Sequence, residues 1–319
     1  MAFSTAVPMK GAVRHPVFHG SGGSLFGIQI VNLLLTILTL GIYSFWGKVR
    51  VRKYLYNQTE FFGDRFAYHG TGRELFIGAI KAFVILLGIY GGVIVLAAAV
   101  HQGLILLIYP VILIVIPVAL YGAMRYGMSR TSWRGIRFSF RGRLKECMGK
   151  YIGGMLLTLL TLGLYYPFFH EKMRGYWVRN TYFGDTPFEY NGRGKDLMGS
   201  FILAVILALP TLYLYLFWYM AKVERYDWAH TRFANGDFDS TVTGGAILGQ
   251  TLGNILLILF TLGIALPWVI TRTIQFHFRF LGLKGDLDIG KIQRGSKSGI
   301  TAATGEGLAS ALDMGSALG

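Results

Sequence analysis

The residues in this chain whose types and spacing could do chemistry are the polar ones that interrupt its apolar stretches. Gln29 and Asn32 lie in one uncharged stretch, and Gln250 and Asn254 in another. An amide in hydrocarbon needs a partner, so such residues face a neighbouring helix or a substrate path. Glu224, Asp227 and His230 follow one another at a spacing of three beside Arg225, as a polar cluster or, the preferred reading, a solvated helix end. His15 and His19 are interrupted by Pro16, and His170-Glu171 has arginine at position 174 where a zincin needs its second histidine. The single cysteine, Cys147, excludes an internal disulfide and a cysteine-based metal cluster. There is no P-loop, no Gly-x-Ser-x-Gly and no calcium loop. Gly70-Thr71-Gly72 and Gly192-Arg193-Gly194 precede apolar stretches as helix starts, places where a lipid phosphate can meet free N–H groups. No carboxylate stands in the middle of an apolar stretch, which argues against a proton relay. The expectation is a protein that is not an enzyme and uses neither metal nor cofactor.

The elements around these residues are those of a membrane protein. The chain of 319 residues is 53% hydrophobic with a mean hydropathy of +0.48, more apolar than soluble domains of this size. Its formal charge is +15 and its pI about 9.9. The basic residues flank apolar spans, so the charge suits anionic phospholipid headgroups and not nucleic acid. Residues 25–46, 75–100, 104–124, 151–169, 197–221 and 244–270 form six apolar spans, each close to the ~20 residues that cross a bilayer. The fold expected is an all-α integral membrane protein of about six transmembrane helices, with short strand-turn elements in the loops.

These spans repeat. Thr39-Leu40-Gly41-Ile42-Tyr43 returns as Thr161-Leu162-Gly163-Leu164-Tyr165 and as Thr261-Leu262-Gly263-Ile264-Ala265. The first is followed by Arg52-Lys53-Tyr54, Phe62-Gly63-Asp64 and Tyr68-His69-Gly70, the second by Arg174-Gly175-Tyr176, Phe183-Gly184-Asp185 and Tyr190-Asn191-Gly192. Arg125-Tyr126 with Thr131-Ser132-Trp133, and Arg225-Tyr226 with Thr231-Arg232-Phe233, are weaker copies of the tail of this unit. The division expected is a polar leader (1–24), a first repeat with a helical hairpin (25–134), a second (135–236), a third and degenerate one (237–293), and a disordered tail (294–319). A period this long points to duplicated membrane units, not a stacked solenoid.

Six full crossings leave 17 Lys/Arg on one side and 13 on the other, almost no charge bias. Re-entrant Thr-Leu-Gly spans would restore one, 21 against 9, provided the turns hide their backbone. Full crossings are the expectation, with the first two strong copies inverted relative to each other. Polar groups and glycine breaks near mid-membrane then mark a substrate path through Gln29, Asn32, Gly41, Gly163, Asn254 and Gly263. Lys48, Arg50, Arg52, Lys53, Lys172 and Arg174 are the residues expected to bind lipid headgroups or a partner.

The run Leu157 to Phe169 with Arg174-Gly175-Tyr176, Asn180-Thr181 and Phe183-Gly184-Asp185 resembles the YjgN family of bacterial multi-pass inner-membrane proteins. The likeness extends from Phe18 to about Leu283 and departs at His170-Glu171-Lys172 and in the third copy. It implies the inner membrane as location and a membrane-associated metallopeptidase as partner, and it supplies no catalytic residues. Two functions are expected from these observations together. The first is transport or translocation of a small or lipidic substrate. The second is a membrane scaffold that binds anionic lipid and a protein.

Overall fold

Helix α1 (Gly22–Leu38) ends where a leucine and a glycine turn left-handed, Leu40 at φ 50° and Gly41 at φ 93°. The Gly41 N–H donates to the Thr36 carbonyl at 2.8 Å, and the Thr39 hydroxyl donates to the Leu35 carbonyl at 2.7 Å. The same hydroxyl accepts the Tyr43 N–H at 2.9 Å, capping the helix that follows. That helix, α2 (Ser44–Asn57), runs back along α1: the Asn32 amide donates to the Gly47 carbonyl at 3.2 Å. The turn therefore reverses the chain. The expected crossing at 25–46 is a helical hairpin, because two consecutive left-handed residues cannot continue an α-helix.

In this computed structural model, which describes residues 13–285 and residue 292, the same reversal recurs. It joins α5 (Leu144–Leu160) to α6 (Tyr166–Arg179) and α9 (Gly244–Phe260) to α10 (Leu266–Phe280). Thr161 and Thr261 take the role of Thr39. A turn not recognised in the sequence joins α7 (Gly194–Ala208) to α8 (Leu216–Ala229), with Tyr213 at φ 65° where the others have glycine. Thr211 caps it as the other threonines do. Only α3 (Gly72–Ala99) and the stretch Gln102–Ser129, a 3-10 turn leading into α4 (Ile108–Ser129), are long and apolar enough to cross a bilayer among the described residues. Among the described residues two helical stretches of crossing length, not six, are found. Residues 1–12 of the expected leader and the expected tail at 294–319 lie outside the described residues.

The strand-turn elements are more than loop decoration: they form one ten-stranded sheet, so the fold is not all-α. β1 (Val17–Phe18) precedes α1. After each returning helix come, in turn, β2 (Thr59–Phe61) and β3 (Asp64–Tyr68), β4 (Thr131–Trp133) and β5 (Ile136–Phe140), β6 (Thr181–Phe183) and β7 (Thr186–Tyr190), β8 (Thr231–Phe233) and β9 (Gly236–Ser240), then β10 (Leu281–Lys284). Threonine and aromatic residues suit a pleated surface. Left-handed pairs such as Phe62-Gly63 and Arg134-Gly135 make the tight turns that match strand twist. Each strand pairs antiparallel with the next in sequence. The Arg14 and Leu283 backbones exchange hydrogen bonds at 3.0 and 2.9 Å, which closes the sheet into a ring.

Closure decides the layout. β3 leads into α3, α4 leads into β4, and β3 pairs with β4. Every helical pair thus leaves and rejoins the ring at adjacent strands, and all the pairs stand on one end of it. The expected inversion of the first two copies is therefore not found. The ring of helices closes too: the Trp268 side chain of α10 covers Gly22 of α1 so closely that no Cβ fits, and Trp268 lies 5.1 Å from the Phe26 ring. Outward faces are apolar. At the turns Leu40 and Leu162 are 94% exposed, Leu262 90% and Leu212 83%.

Candidate functional site: an aromatic ring beside a polar cleft

Strand register places one aromatic opposite another at three of the junctions between successive units and an aromatic opposite leucine at a fourth. Phe66 faces Trp133, Phe138 faces Phe183, Phe188 faces Phe233, and Phe238 faces Leu283. Ring centroids lie 6.0, 4.8 and 4.4 Å apart in the first three pairs. Neighbouring pairs join through Trp133–Phe183 at 5.5 Å and Phe183–Phe233 at 5.9 Å. Aromatic pairs of this kind contribute ~0.5–1.5 kcal/mol beyond their burial. Because side chains alternate along a strand, one aromatic face points into the ring. Ile292 is buried in the same cluster. Among the described residues a cavity of about 560 Å3 remains within the ring, walled by these aromatics and by Leu55, Tyr56, Thr273, Ile274, His277 and Phe278.

A second cavity of about 470 Å3 lies between α6, α8, α9 and α10, and its partly apolar wall carries a set of charged and polar side chains. Its centre is Asp227, 7% exposed. The Asp227 carboxylate stands 2.9 Å from His170 Nε2 and accepts the Tyr190 hydroxyl at 3.1 Å, with Arg174 Nε at 3.7 Å. Glu224, one turn earlier on α8, lies 3.4 Å from His277 Nδ1. The hydrogen bond to Glu224 holds the His277 proton, so its pKa is raised above the ordinary 6.5, with burial opposing. Asn254 donates to Thr273 Oγ1 at 3.1 Å, Gln250 donates to Asn254, and Arg272 donates to Gln250. Arg174 makes no hydrogen bond among the described residues, and its guanidinium lies 5.1 Å from the Trp228 ring centre. Among those residues no group of three or more His, Cys, Asp or Glu is placed to hold a metal.

The helix end expected to be solvated at Glu224, Asp227 and His230 is thus buried at Asp227 and half-buried at Glu224 and His230. The reason is long-range: His170 comes from the neighbouring hairpin and Tyr190 from β7 to hydrogen-bond the carboxylate. His230 turns away and bonds the Tyr226 carbonyl. Of the expected path residues, Asn254 lines the cleft, while Asn32 is buried against Gly47 in the first hairpin and Gln29 is half-buried on α1. Gly41, Gly163 and Gly263 form the hairpin tips and line neither cavity. Of the expected headgroup residues, Arg174 lines the cleft and Lys172 donates to the Tyr165 hydroxyl at 2.6 Å. Arg52 donates to the Tyr68 hydroxyl at 3.3 Å, Lys48 is half-buried, and Arg50 and Lys53 are exposed. The aromatic ring escaped the sequence reading. Its signal was there in Thr59-Glu60-Phe61, Thr131-Ser132-Trp133, Thr181-Tyr182-Phe183 and Thr231-Arg232-Phe233, a threonine followed at the second position by an aromatic.

The threonine and tyrosine of the repeated tail have local tasks. Thr59, Thr131, Thr181 and Thr231 each donate to the carbonyl four residues earlier, ending the returning helix as the strand begins. Tyr54, Tyr126, Tyr176 and Tyr226 bond to the start of the partner helix, at Ser21, Glu74, Arg143 and Arg193 with Asp196.

A profile of the family described as "Bacterial protein of unknown function (DUF898)" matches residues 14–218 and 200–311. Inner membrane protein YjgN of Salmonella typhimurium is 34% identical over 149 residues, 47% of this chain and 36% of that protein. Inner membrane protein YjgN of Escherichia coli K12 is 32% identical over 154 residues, 48% of this chain and 37% of its own. The chain therefore covers little more than a third of the length of these relatives. No solved structure matches. Relatives of the inner membrane, together with two helices of membrane-crossing length and apolarity, place the chain in the bacterial inner membrane. By the extent of the profile match, it belongs to this family of bacterial proteins of unknown function.

Proposed function

We propose that this chain binds and translocates a lipidic substrate, holding its apolar part in the aromatic cavity of the strand ring. The observation that carries the reading is that cavity: about 560 Å3, walled almost wholly by aromatic and aliphatic side chains, at the foot of helices with apolar outer faces. Pockets for small molecules run ~300–1,000 Å3 and are mostly apolar.

The arrangement in the bilayer supports it. No Asp, Glu, Lys or Arg occurs between Lys81 and Arg125, so the far end of the α3–α4 pair is uncharged. Under the positive-inside rule the strand ring then faces the cytoplasm. The 17 residues of α1 extend ~25 Å, less than the ~30 Å hydrocarbon core, so the four shorter pairs enter one leaflet and return. Their turns suit hydrocarbon, since threonine and backbone satisfy the freed polar groups and leucine covers the tip. Five units of helix, turn, helix and strands are read as products of internal duplication, the fourth concealed by Tyr213 and the fifth completed by β1.

The test is reconstitution of the purified protein with a fluorescent phospholipid placed in one leaflet. Exchange faster than in protein-free vesicles is expected, slowed by Phe188→Trp with Phe233→Trp, which fill the cavity. Equal rates with and without protein would overturn the reading. The scaffold reading keeps one observation of its own, the exposed Arg50 and Lys53 on α2. It expects that Arg50→Gln with Lys53→Gln weakens vesicle binding, or capture of a partner such as a membrane metallopeptidase, with lipid exchange unchanged.

A further inference from the structure

The polar cleft and the aromatic cavity are neighbours with a common wall: Thr273 and His277 of α10 line both. An apolar ring would suit a lipid tail alone. A polar cleft adjoining it is a place for a head. Within the cleft the charges are unequally occupied. The Asp227 carboxylate is engaged by His170 and Tyr190, and Glu224 is engaged by His277. Arg174 has only a long ion pair with the already engaged Asp227. It makes no hydrogen bond among the described residues, its Nε is buried without a partner, and the 3.7 Å to Asp227 exceeds hydrogen-bond distance. Trp228 lies beside the guanidinium at 5.1 Å from ring centre to carbon, which fixes its plane and leaves its edge for a ligand. A guanidinium edge matches the two oxygens of a carboxylate or phosphate.

We infer that the two cavities form one site for an anionic amphiphile, with its carboxylate or phosphate head on Arg174 and its apolar chain passing Thr273 and His277 into the aromatic ring. This rests on the lipid-binding reading above and names the substrate class it left open. Asn254 and Gln250, which also line the cleft, offer the head neutral hydrogen bonds, and their pairing with Thr273 and Arg272 holds that wall in place. The same chemistry could be met by a free anion, and the experiment separates the two.

The experiment uses the purified full chain in detergent with a photoreactive long-chain fatty acid, its methyl ester, and inorganic phosphate. The expected result is cross-linking of both lipid probes to ring residues such as Phe183 and Phe233, with the acid binding more tightly than the ester. Arg174→Gln should weaken binding of the acid about tenfold, as loss of a charged hydrogen bond does, and leave the ester unchanged. Arg174→Lys, which keeps the charge and loses the fork, should fall between and guards against a folding defect. Equal binding of acid and ester, with no effect of Arg174→Gln, would overturn the anionic head and leave the lipid ring standing. Phosphate displacing the acid at equal concentration would assign the cleft to a free anion. Absence of ring labelling by either probe would overturn both this inference and the reading beneath it.

Discussion

Asn32 and Gly47 belong to helices on opposite sides of a Thr-Leu-Gly turn, and the amide of one bonds the carbonyl of the other at 3.2 Å. That contact is incompatible with a straight helix through the bilayer. Single cysteines at Asn57, Asn191 and Asn235 should therefore all label from the cytoplasmic side, while a cysteine at His101 labels from the opposite side. Cysteines at Leu40 and Leu162 should resist water-soluble reagents from both sides. Cys147 can stay, because it is fully buried and burial pushes its thiol up to about 11. Labelling of Asn57 and Asn191 from opposite sides would restore the inverted arrangement.

The turns should be sensitive to their threonines. The Thr161 hydroxyl accepts the Tyr165 N–H at 2.9 Å and donates to the Leu157 carbonyl. Thr161→Val keeps the shape and strands the Tyr165 N–H in an apolar setting, at a cost of ~1–3 kcal/mol. Thermal unfolding in detergent should register the loss, and Thr161→Ser should recover most of it. No difference between the valine and serine variants would show that water reaches the tip.

The closure between α1 and α10 is a point of tight packing. A side chain at position 22 meets the Trp268 ring. Gly22→Val should destabilise by ~1–3 kcal/mol through overpacking. Gly23→Val, one position along where nothing lies within 4 Å, should cost far less. Comparing the two unfolding temperatures checks the prediction, since a general dislike of valine at a helix start would affect both equally.

Stability should also depend on pH through His277. Its pKa is raised in the folded protein by the hydrogen bond to Glu224, so that contribution is fully present below the ordinary 6.5 and is lost as pH rises through the folded value. His170, Arg174 and Asp227 share the cleft. Unfolding temperature should fall as pH rises above the ordinary histidine value of 6.5 in the native protein. Glu224→Gln should flatten that fall, and an unchanged slope would mean that another group in the cleft is responsible.

The sequence by itself determined the membrane class, the basic-aromatic helices, the Thr-Leu-Gly segments and the presence of short strands, since apolar length, Arg-Tyr ends and alternation around Gly-Asp are local properties. It could not determine whether those segments cross or turn. A threonine and a glycine permit both, and the contact between Asn32 and Gly47 decides it. The fourth turn was hidden because Tyr213 adopts the left-handed conformation that glycine announces elsewhere. Strands of three to five residues were legible one by one. Their closure depends on the pairing of Arg14 with Leu283, almost the whole chain apart, and no local pattern encodes it. The same holds at the site. Asp227 read as a solvated charge because His170, 57 residues away, is what makes its burial affordable. The aromatics of the ring were visible only as scattered phenylalanines until strand register set Phe188 opposite Phe233. Tertiary structure decided the turns through contacts between the two arms of one hairpin, and it decided the closed sheet, the buried Asp227 and the aromatic ring through groups from different units that only ring closure brings side by side.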